Sequence, residues 1–531
     1  MCWSHLKLPI IFGSFFLVSG VMLCYNTKHR FHRKVNSMKR VFSFLLILTM
    51  LFSFPCISAS AVTSQAPSVP KIEITTDAGN GLSLEKADGY VSAHITITDA
   101  DGSVTDDAIN LKVRGNSTAM EHVTKKSFNF KFAKKTEVLG MGKGKKWAML
   151  ANCFDPTLLR NYLAFDLAQK LDLPYTSQQR YAEVWLDGSY RGCYTVYEPV
   201  QEGRDRVDID IESNDGKKDF LLEYEASRTE ADVYYVSAGG LRFAMSDPDE
   251  PNDDQLVYVT DTLNNIVNTM KNGTEEEIRQ VIDVDSFAKF YLLNEYAKTG
   301  DFGLSSVFFF YKDGVLYAGP AWDYDLALGN LNGDLNSTAA KQGSRTDGIM
   351  QADKNFYRFL TGKDWFQTEI KRIYAQHYDY IENISADGGR LDTLRAENQA
   401  LFDRNFKTWS VSRWWLNYQK PPLRTYDDNY NFLKNWCTER HQWLSDYYGL
   451  YRYPYLRGDS DGNGEVNILD VTLIQRVIAN VQSDDDGRIT LRAALSDNAL
   501  DITDATYLQR YIIQMPTPYP VGESAEAVLY Q

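Results

Sequence analysis

The sequence predicts an α+β fold: strands gathered early in the body, helices later, then a small all-α unit built on a duplicated segment. Three observations carry this. From Lys71 to about Glu198, apolar and polar residues alternate between Gly and Asp turns, the period of half-buried strands. From about Asp254 to Lys298, and again from Asn355 to Tyr448, the apolar spacing is helical. After Tyr455, Ile468–Arg476 and Ile502–Arg510 match at a spacing of 34 residues. Strands first and helices later make one α+β domain of about 380 residues, 71–450.

The strand segments read KIEITT, YVSAHITIT, INLKVRG, SFNFKF, KWAMLAN, YAEVWLDG and YRGCYTVYEPV, with Asp219–Tyr224 as a further one. A helix over Asp155–Leu171 interrupts them, with Asp155 placed to cap it and Pro156 suited to its first turn. VFFFYKDGVLYAG reads as a hairpin turning at Asp313-Gly314. Trp409, Trp414, Trp415, Trp436 and Trp443 crowd the last helical stretch. Such density suits sugar stacking, but Phe432, Trp436 and Trp443 share one helix face, which makes them core.

Residues 38–61 carry a short basic front (Lys39, Arg40), an apolar run and the small-x-small site Ala59-Ser60-Ala61, the pattern of a secretory signal peptide. Ahead of it, residues 1–37 hold a second apolar run, Leu8 to Tyr25. This reads either as an N-terminal anchor or, preferably, as sequence upstream of a start at Met38. Either way the body is expected outside the cytoplasm, at the cell surface or secreted, and a membrane partner only if 8–25 anchors the chain. Residues 62–70 form a polar linker.

The net charge of −14 comes from 56 basic and 70 acidic residues. Seven of the basic residues and none of the acidic ones lie in 1–61, so the remaining 470 residues carry −21. A body this acidic repels nucleic acid, which is not expected as a partner. Past residue 61 only Cys153, Cys193 and Cys437 remain, an odd set with no CxxC or Cys/His cluster, hence neither a disulfide framework nor a zinc site. No GxSxG elbow recommends a serine hydrolase.

Asp459 to Asp470 reads DSDGNGEVNILD. Asp459, Asp461, Asn463, Asn467 and Asp470 stand at positions 1, 3, 5, 9 and 12, with Gly464 at position 6 and the Glu465 carbonyl at position 7. Calcium takes six to eight oxygens around such a loop. In the second copy, positions 1 and 3 are Ala493 and Leu495, and only Asp497, Asp501 and Asp504 keep carboxylates. This paired EF-hand-like unit, residues 456–515, resembles a type I dockerin. The resemblance implies Ca²⁺ binding and docking to a cohesin domain of a scaffoldin in a cellulosome-like complex, with Gln475, Arg476, Gln509 and Arg510 facing the partner. Residues 516–531 are read as a tail.

Four further segments stand out: Lys112–Thr118 (KVRGNST), Lys146–Asn152 with Asp155–Asn161, Asn294–Ser306 (NEYAKTGDFGLSS), and Pro320–Asp325 (PAWDYD). Together, in this order, they resemble the spore-coat kinase (CotH) family over about 70–450. The resemblance implies a kinase-like fold, that of an atypical protein kinase, using ATP with Mg²⁺ or Mn²⁺ to phosphorylate Ser or Thr of an acceptor protein. Phosphoryl transfer asks for a carboxylate at the acceptor hydroxyl, another on metal, and a strand cation. Asp301 at a helix end, then a hairpin, then Asp323 reproduces that order, with Asp325 a further metal ligand. Lys131 is the first choice of strand cation and Lys126 the second, and Arg114 with the Gly115-Asn116 turn reads equally as a phosphate contact or as a structural turn. Where kinases carry a metal-binding Asn five residues after the catalytic Asp, this chain has Ser306, so a non-catalytic binding module stays open. An accessory role in polysaccharide degradation also stays open, since the sequence does not exclude a pair of glycosidase carboxylates. Gly140-x-Gly142-x-Gly144 reads as a flexible connector.

Overall fold

Apolar alternation closes the early strands on themselves. In the computed structural model, which describes residues 69–120, 123–211, 218–333, 337–411 and 423–530, seven strands form a barrel. They are β1 (Lys71–Thr76), β2 (Val91–Thr98), β3 (Val104–Arg114), β4 (Ser127–Glu137), β5 (Lys143–Leu150), β6 (Gln179–Leu186) and β7 (Ser189–Tyr197), in the order β1-β2-β3-β4-β5-β7-β6. The barrel shuts through parallel pairing of β1 with β6. Its interior is one apolar cluster that includes Ile72, Leu111, Phe130, Trp147 and Val196. Because side chains alternate across a strand, the opposite parity of β3, β4 and β5 points outward: Lys112, Arg114, Asn129, Lys131 and Lys146. The expectations at 8–25 and 38–61, most of 62–70, and Trp414 and Trp415 lie outside the described residues.

Between β5 and β6 runs α1 (Arg160–Lys170), shorter than the sequence suggested. Asp155 does not cap it. Its Oδ1 accepts from the Arg160 guanidinium at 2.6 Å and its Oδ2 from the Arg160 amide at 2.8 Å, a fully buried pair that holds the approach to the helix as a turn. A second sheet follows, made of β8 (Phe220–Tyr224), β9 (Tyr235–Ala238), β10 (Leu241–Asp247), β11 (Val307–Lys312) and β12 (Val315–Ala318), in the order β12-β11-β8-β10-β9. The β11–β12 hairpin turns at Asp313-Gly314 as read, whereas β9 and β10 were not foreseen.

Between β10 and β11 run α2 (Asp253–Asn272), α3 (Glu275–Val281) and α4 (Val284–Ala297). Nearly every residue of α4 is buried, as a helix apolar on all sides must be. Then come α5 (Thr338–Gly343), α6 (Asp364–Asn383), α7 (Arg390–Thr408) and α8 (Tyr426–Tyr448). Trp436 is buried and Phe432 and Trp443 pack against the same core, the role expected of them. At the end of α4, Glu295 and Arg440 of α8 form a wholly buried ion pair at 2.7 Å. The same carboxylate accepts the Met350 and Gln351 amides, and the same guanidinium donates to the carbonyls of Glu295, Thr346 and Gly348.

After β13 (Leu450–Leu456) come α9 (Ile468–Ile478), α10 (Arg488–Ala493) and α11 (Ile502–Ile512), then β14 (Ser524–Tyr530). The two duplicated segments form α9 and α11 around a small core of Val471, Ile474, Ala493, Ala505, Leu508 and Val521. Residues 516–531 are not merely a tail, since β14 pairs antiparallel with β13 along its whole length. No helix among the described residues is long and apolar enough to cross a membrane.

Removing one partner of a buried pair leaves the other charge uncompensated, at about 3–5 kcal/mol. Arg440→Met will therefore lose about that much stability in a urea titration, and adding Glu295→Gln to it will recover a measurable part. Equal midpoints for wild type and Arg440→Met would show that the pair carries no such strain.

Candidate functional site

The end of α4 and the loop after β12 are stitched together by backbone bonds, Gly300 N to Leu326 O and Leu328 N to Ala297 O. This brings Asp301 and the segment 322–328 to one place. Lys298 leaves the helix in the left-handed region (φ +46°), and Asp301 then heads a turn whose carbonyl accepts the Leu304 and Ser305 amides. The loop is held by three bonds: Asn161 Oδ1 accepts the Tyr324 amide, the Tyr324 hydroxyl reaches Asn294, and Asn330 Nδ2 donates to Asp325 O. Ser306 and Asp323 both stand at φ +62°, conformations that cost a non-glycine residue energy and cluster at functional sites. Ser306 Oγ donates to Asp323 Oδ2 at 3.3 Å.

Three carboxyls thus share a partly desolvated site. The Asp301 carboxyl is pushed from 3.8 up to about 7, first by burial and then by the Asp323 charge, against the pull of Arg228. Burial also raises Asp323, which Arg114 opposes, and raises Asp325 well above the usual range, helped by Asp323 and Asp301. Arg114 supplies the facing charge. Its guanidinium lies 5.5 Å from the Tyr197 ring and 5.3 Å from the Trp322 ring, and its Nη1 is buried with no hydrogen-bond partner among the described residues. A donor held by two rings and left open is placed to take an anionic oxygen.

Of the residues singled out in sequence, Asp301, Asp323, Asp325, Ser306 and Arg114 come together here. Lys131 does not: it pairs with Asn110, four residues along β3 from Arg114, or about 13 Å of strand, and faces Lys146 instead. Lys126 is engaged, its Nζ bound to Glu85 and to the carbonyls of Ala119 and Met120. Sequence reasoning missed Glu223, which accepts the Ser306 amide at 3.0 Å and whose carboxyl is raised by burial. It also missed Arg228, anchored on Glu225 at 2.8 Å. Alternation in FLLEY could have marked Glu223 as the odd polar residue of a buried strand.

A second cluster lies in the loop before α9, where ligand oxygens of Asp459, Asp461 and Asp470 fall within 4.8 Å of one another. The Asp459 carboxylate accepts the amides of Gly462, Asn463 and Gly464, and Gly464 sits at φ +91°, which the sharp turn requires of it. Asp470 accepts the amides of Asp461 and Asn467, and Asn467 caps α9. Asn463 Oδ1 accepts the Glu465 amide. In the other copy, Ala493 is fully buried in the apolar core and the Asp504 carboxylate is occupied by the Leu495 and Asp501 amides. Among the described residues, no comparable group of carboxylates forms there.

A family model described as CotH kinase protein matches residues 111–444, a span that includes Arg114, Glu223, Asp301, Asp323 and Asp325. Strands β1 and β2 precede the match, and the duplicated unit follows it. No curated protein matches the chain significantly.

Between about pH 4 and 7 the folded chain holds a proton at Asp301 that the unfolded chain has released, so stability falls as pH rises through that window. In metal-free protein, Asp301→Asn will flatten this slope and be the more stable variant at pH 8, by urea denaturation at pH 5 and pH 8. Parallel slopes in the two proteins would contradict the raised carboxyl.

Proposed function

The chain belongs to the CotH kinase protein family, and on that premise we propose that residues 71–450 transfer phosphate from ATP to serine or threonine of an acceptor protein. The observation that supports this most is that the bonds Gly300 N to Leu326 O and Leu328 N to Ala297 O bring Asp301 to the segment of Asp323 and Asp325, with Arg114 against the ring of Trp322 and its Nη1 unpartnered among the described residues. The carboxylate donor set suits Mg²⁺ or Mn²⁺, which together with ATP would supply the phosphoryl group and the charge that positions it. Asp323 and Asp325 would hold the metal, with Glu223 beside them where Ser306 offers only a hydroxyl. Arg114 would donate to a phosphate oxygen. Asp301, poised near neutral pH, would orient the acceptor hydroxyl and take its proton as the oxygen–phosphorus bond forms and ADP leaves.

We further propose that residues 456–515 act as a dockerin, binding Ca²⁺ at Asp459, Asp461, Asn463, Glu465 O, Asn467 and Asp470 and docking to a scaffoldin cohesin. Support comes from the carboxylate cluster and from apolar side chains left exposed on or beside the paired helices, among them Leu469, Ile478, Ile502 and Ile513. Gln475, Arg476 and Gln509 are exposed beside them, and Arg510 is half-buried. With the leader at 38–61, this describes a secreted enzyme carried on an extracellular complex.

Two outcomes test the catalytic reading. Asp323→Asn will abolish metal-dependent ATP binding, whereas Asp301→Asn will keep that binding and lose transfer to a casein-like acceptor by at least a hundredfold. Binding of Mg·ATP or Mn·ATP by neither wild type nor Ser306→Asn would refute phosphotransfer and leave a binding module. For the second unit, calorimetry will find one tight calcium site, removed by Asp459→Ala with Asp461→Ala together with cohesin binding. Two sites of equal strength would overturn the assignment to the first loop.

A further inference from the structure

A cleft of about 250 Å³ opens between the start of β5 and the loop 201–206. Its lining holds seven basic side chains, including Lys131, Lys143, Lys146 and Arg204, against three carboxylates. One of those, Asp247, is already accepting the Glu202 amide. The chain as a whole is acidic, so this local excess of positive charge stands against its background.

Arg206 forms the inner wall. Its side chain is only 5% exposed, stacked on Trp147 at 4.9 Å and lying over Gly144, where a Cβ would collide with Nη2. None of its three guanidinium nitrogens makes a hydrogen bond among the described residues. The nearest opposite charge is Glu198 at 3.5 Å, whose carboxyl burial pushes up to about 7, so it neutralises Arg206 incompletely at neutral pH. Other buried cations differ: Lys125 has three acceptors, and both terminal nitrogens of Arg440 are bonded to carbonyls or a carboxylate, its Nε alone lacking a partner among the described residues. A buried guanidinium left without acceptors costs free energy unless an acceptor enters from the cleft.

We propose that this cleft binds a small polyphosphate anion, with Arg206 as its buried anchor and Lys143 and Lys146 as outer clamps. The volume is below that of sites for drug-sized ligands and suits a compact ion, and several cations in one cleft suit more than one phosphate. The site is independent of the phosphotransfer reading, because Lys131 on its near wall stands about 13 Å of strand from the level of Arg114. The same chemistry is carried by an inorganic polyphosphate and by the tail of a nucleotide.

The test is calorimetric titration of the metal-free full chain with sodium tripolyphosphate, and in a separate arm with metal-free ATP and with adenosine. The expected result is saturable one-to-one binding of tripolyphosphate, weakened at least tenfold by Arg206→Gln and by Lys143→Gln with Lys146→Gln, and unchanged in Asp323→Asn. ATP competing where adenosine does not assigns the site to the phosphates; competition by adenosine overturns that. Both lysines are exposed, so the double variant decides the matter if Arg206→Gln fails to fold. Absence of saturable binding, binding indifferent to the lysine variant, or loss in Asp323→Asn overturns the proposal. Failure of the phosphotransfer reading is separate: there Mg²⁺ or Mn²⁺ adds nothing to ATP binding and no phosphate reaches the acceptor, while tripolyphosphate still binds.

Discussion

The buried Glu295–Arg440 pair is the constraint on which the arrangement of the body depends. One carboxylate at the end of α4 takes a guanidinium from α8 and two amides from the segment after α5, so three stretches distant in sequence share a single anchor. The arginine returns the constraint by binding carbonyls of the same segment. Such a pair contributes little net stability against an apolar replacement, yet misplacing either member is costly, and that asymmetry fixes where α4 ends. Lys298, next along the chain, continues the pattern: its Nζ donates to Arg345 O at 3.2 Å and to Asp347 O, and burial, with Arg440 nearby, brings its amine down to about 8. Asp301 follows directly from this braced end.

What is braced is unfavourable by itself. Asp323 and Ser306 sit in the left-handed region, and burial raises Asp301, Asp323 and Asp325 together while Arg114 and Arg228 offset only part of it. A core chosen for stability alone would not place three carboxyls there. Sites that must bind charge later are the usual places where a fold tolerates such cost, supported by well-packed surroundings. Here the surroundings are the aromatic layer of Phe287, Phe290, Phe302, Phe309, Phe356 and Tyr357 under the α4 end and β11.

The barrel strands were legible because one face is buried and the period of two survives in the sequence, and the long helices because their apolar spacing does. The pair β9–β10 went unread although it carried a signal: Val236, Ala238, Leu241 and Phe243 point inward on either side of a two-residue Gly239-Gly240 turn, but the strands are only four and seven residues long. Asp155 looked like a cap, and only the fold reveals that Arg160 claims it. Within the site, Asp301 and Asp323 were readable from local motifs. Glu223 was not, because its neighbour Ser306 reaches it only through the pairing of β8 with β11, more than eighty residues later. Lys131 was a fair choice by residue type, but register decides reach, and register carries it up the strand toward Lys146.

The duplicated unit shows how two copies of one sequence diverge under one packing problem. Both helices need a partner face, and α9 and α11 supply it to each other, but their shared core is small and must be filled. The first copy spends its loop on oxygen ligands, with the Asp459 and Asp470 carboxylates ordered by backbone amides. The second spends the equivalent position on Ala493, which is wholly buried among Val471, Ile474, Ala505 and Leu508. A carboxylate there would have to be taken out of water into an apolar core. The ligand set and the core therefore compete for the same residue. The asymmetry between the loops follows from the need to close a core this small, and the β13–β14 ribbon that frames the unit, held by Arg452 on Asp379 and Glu382 of α6, adds no apolar filling that would relieve it.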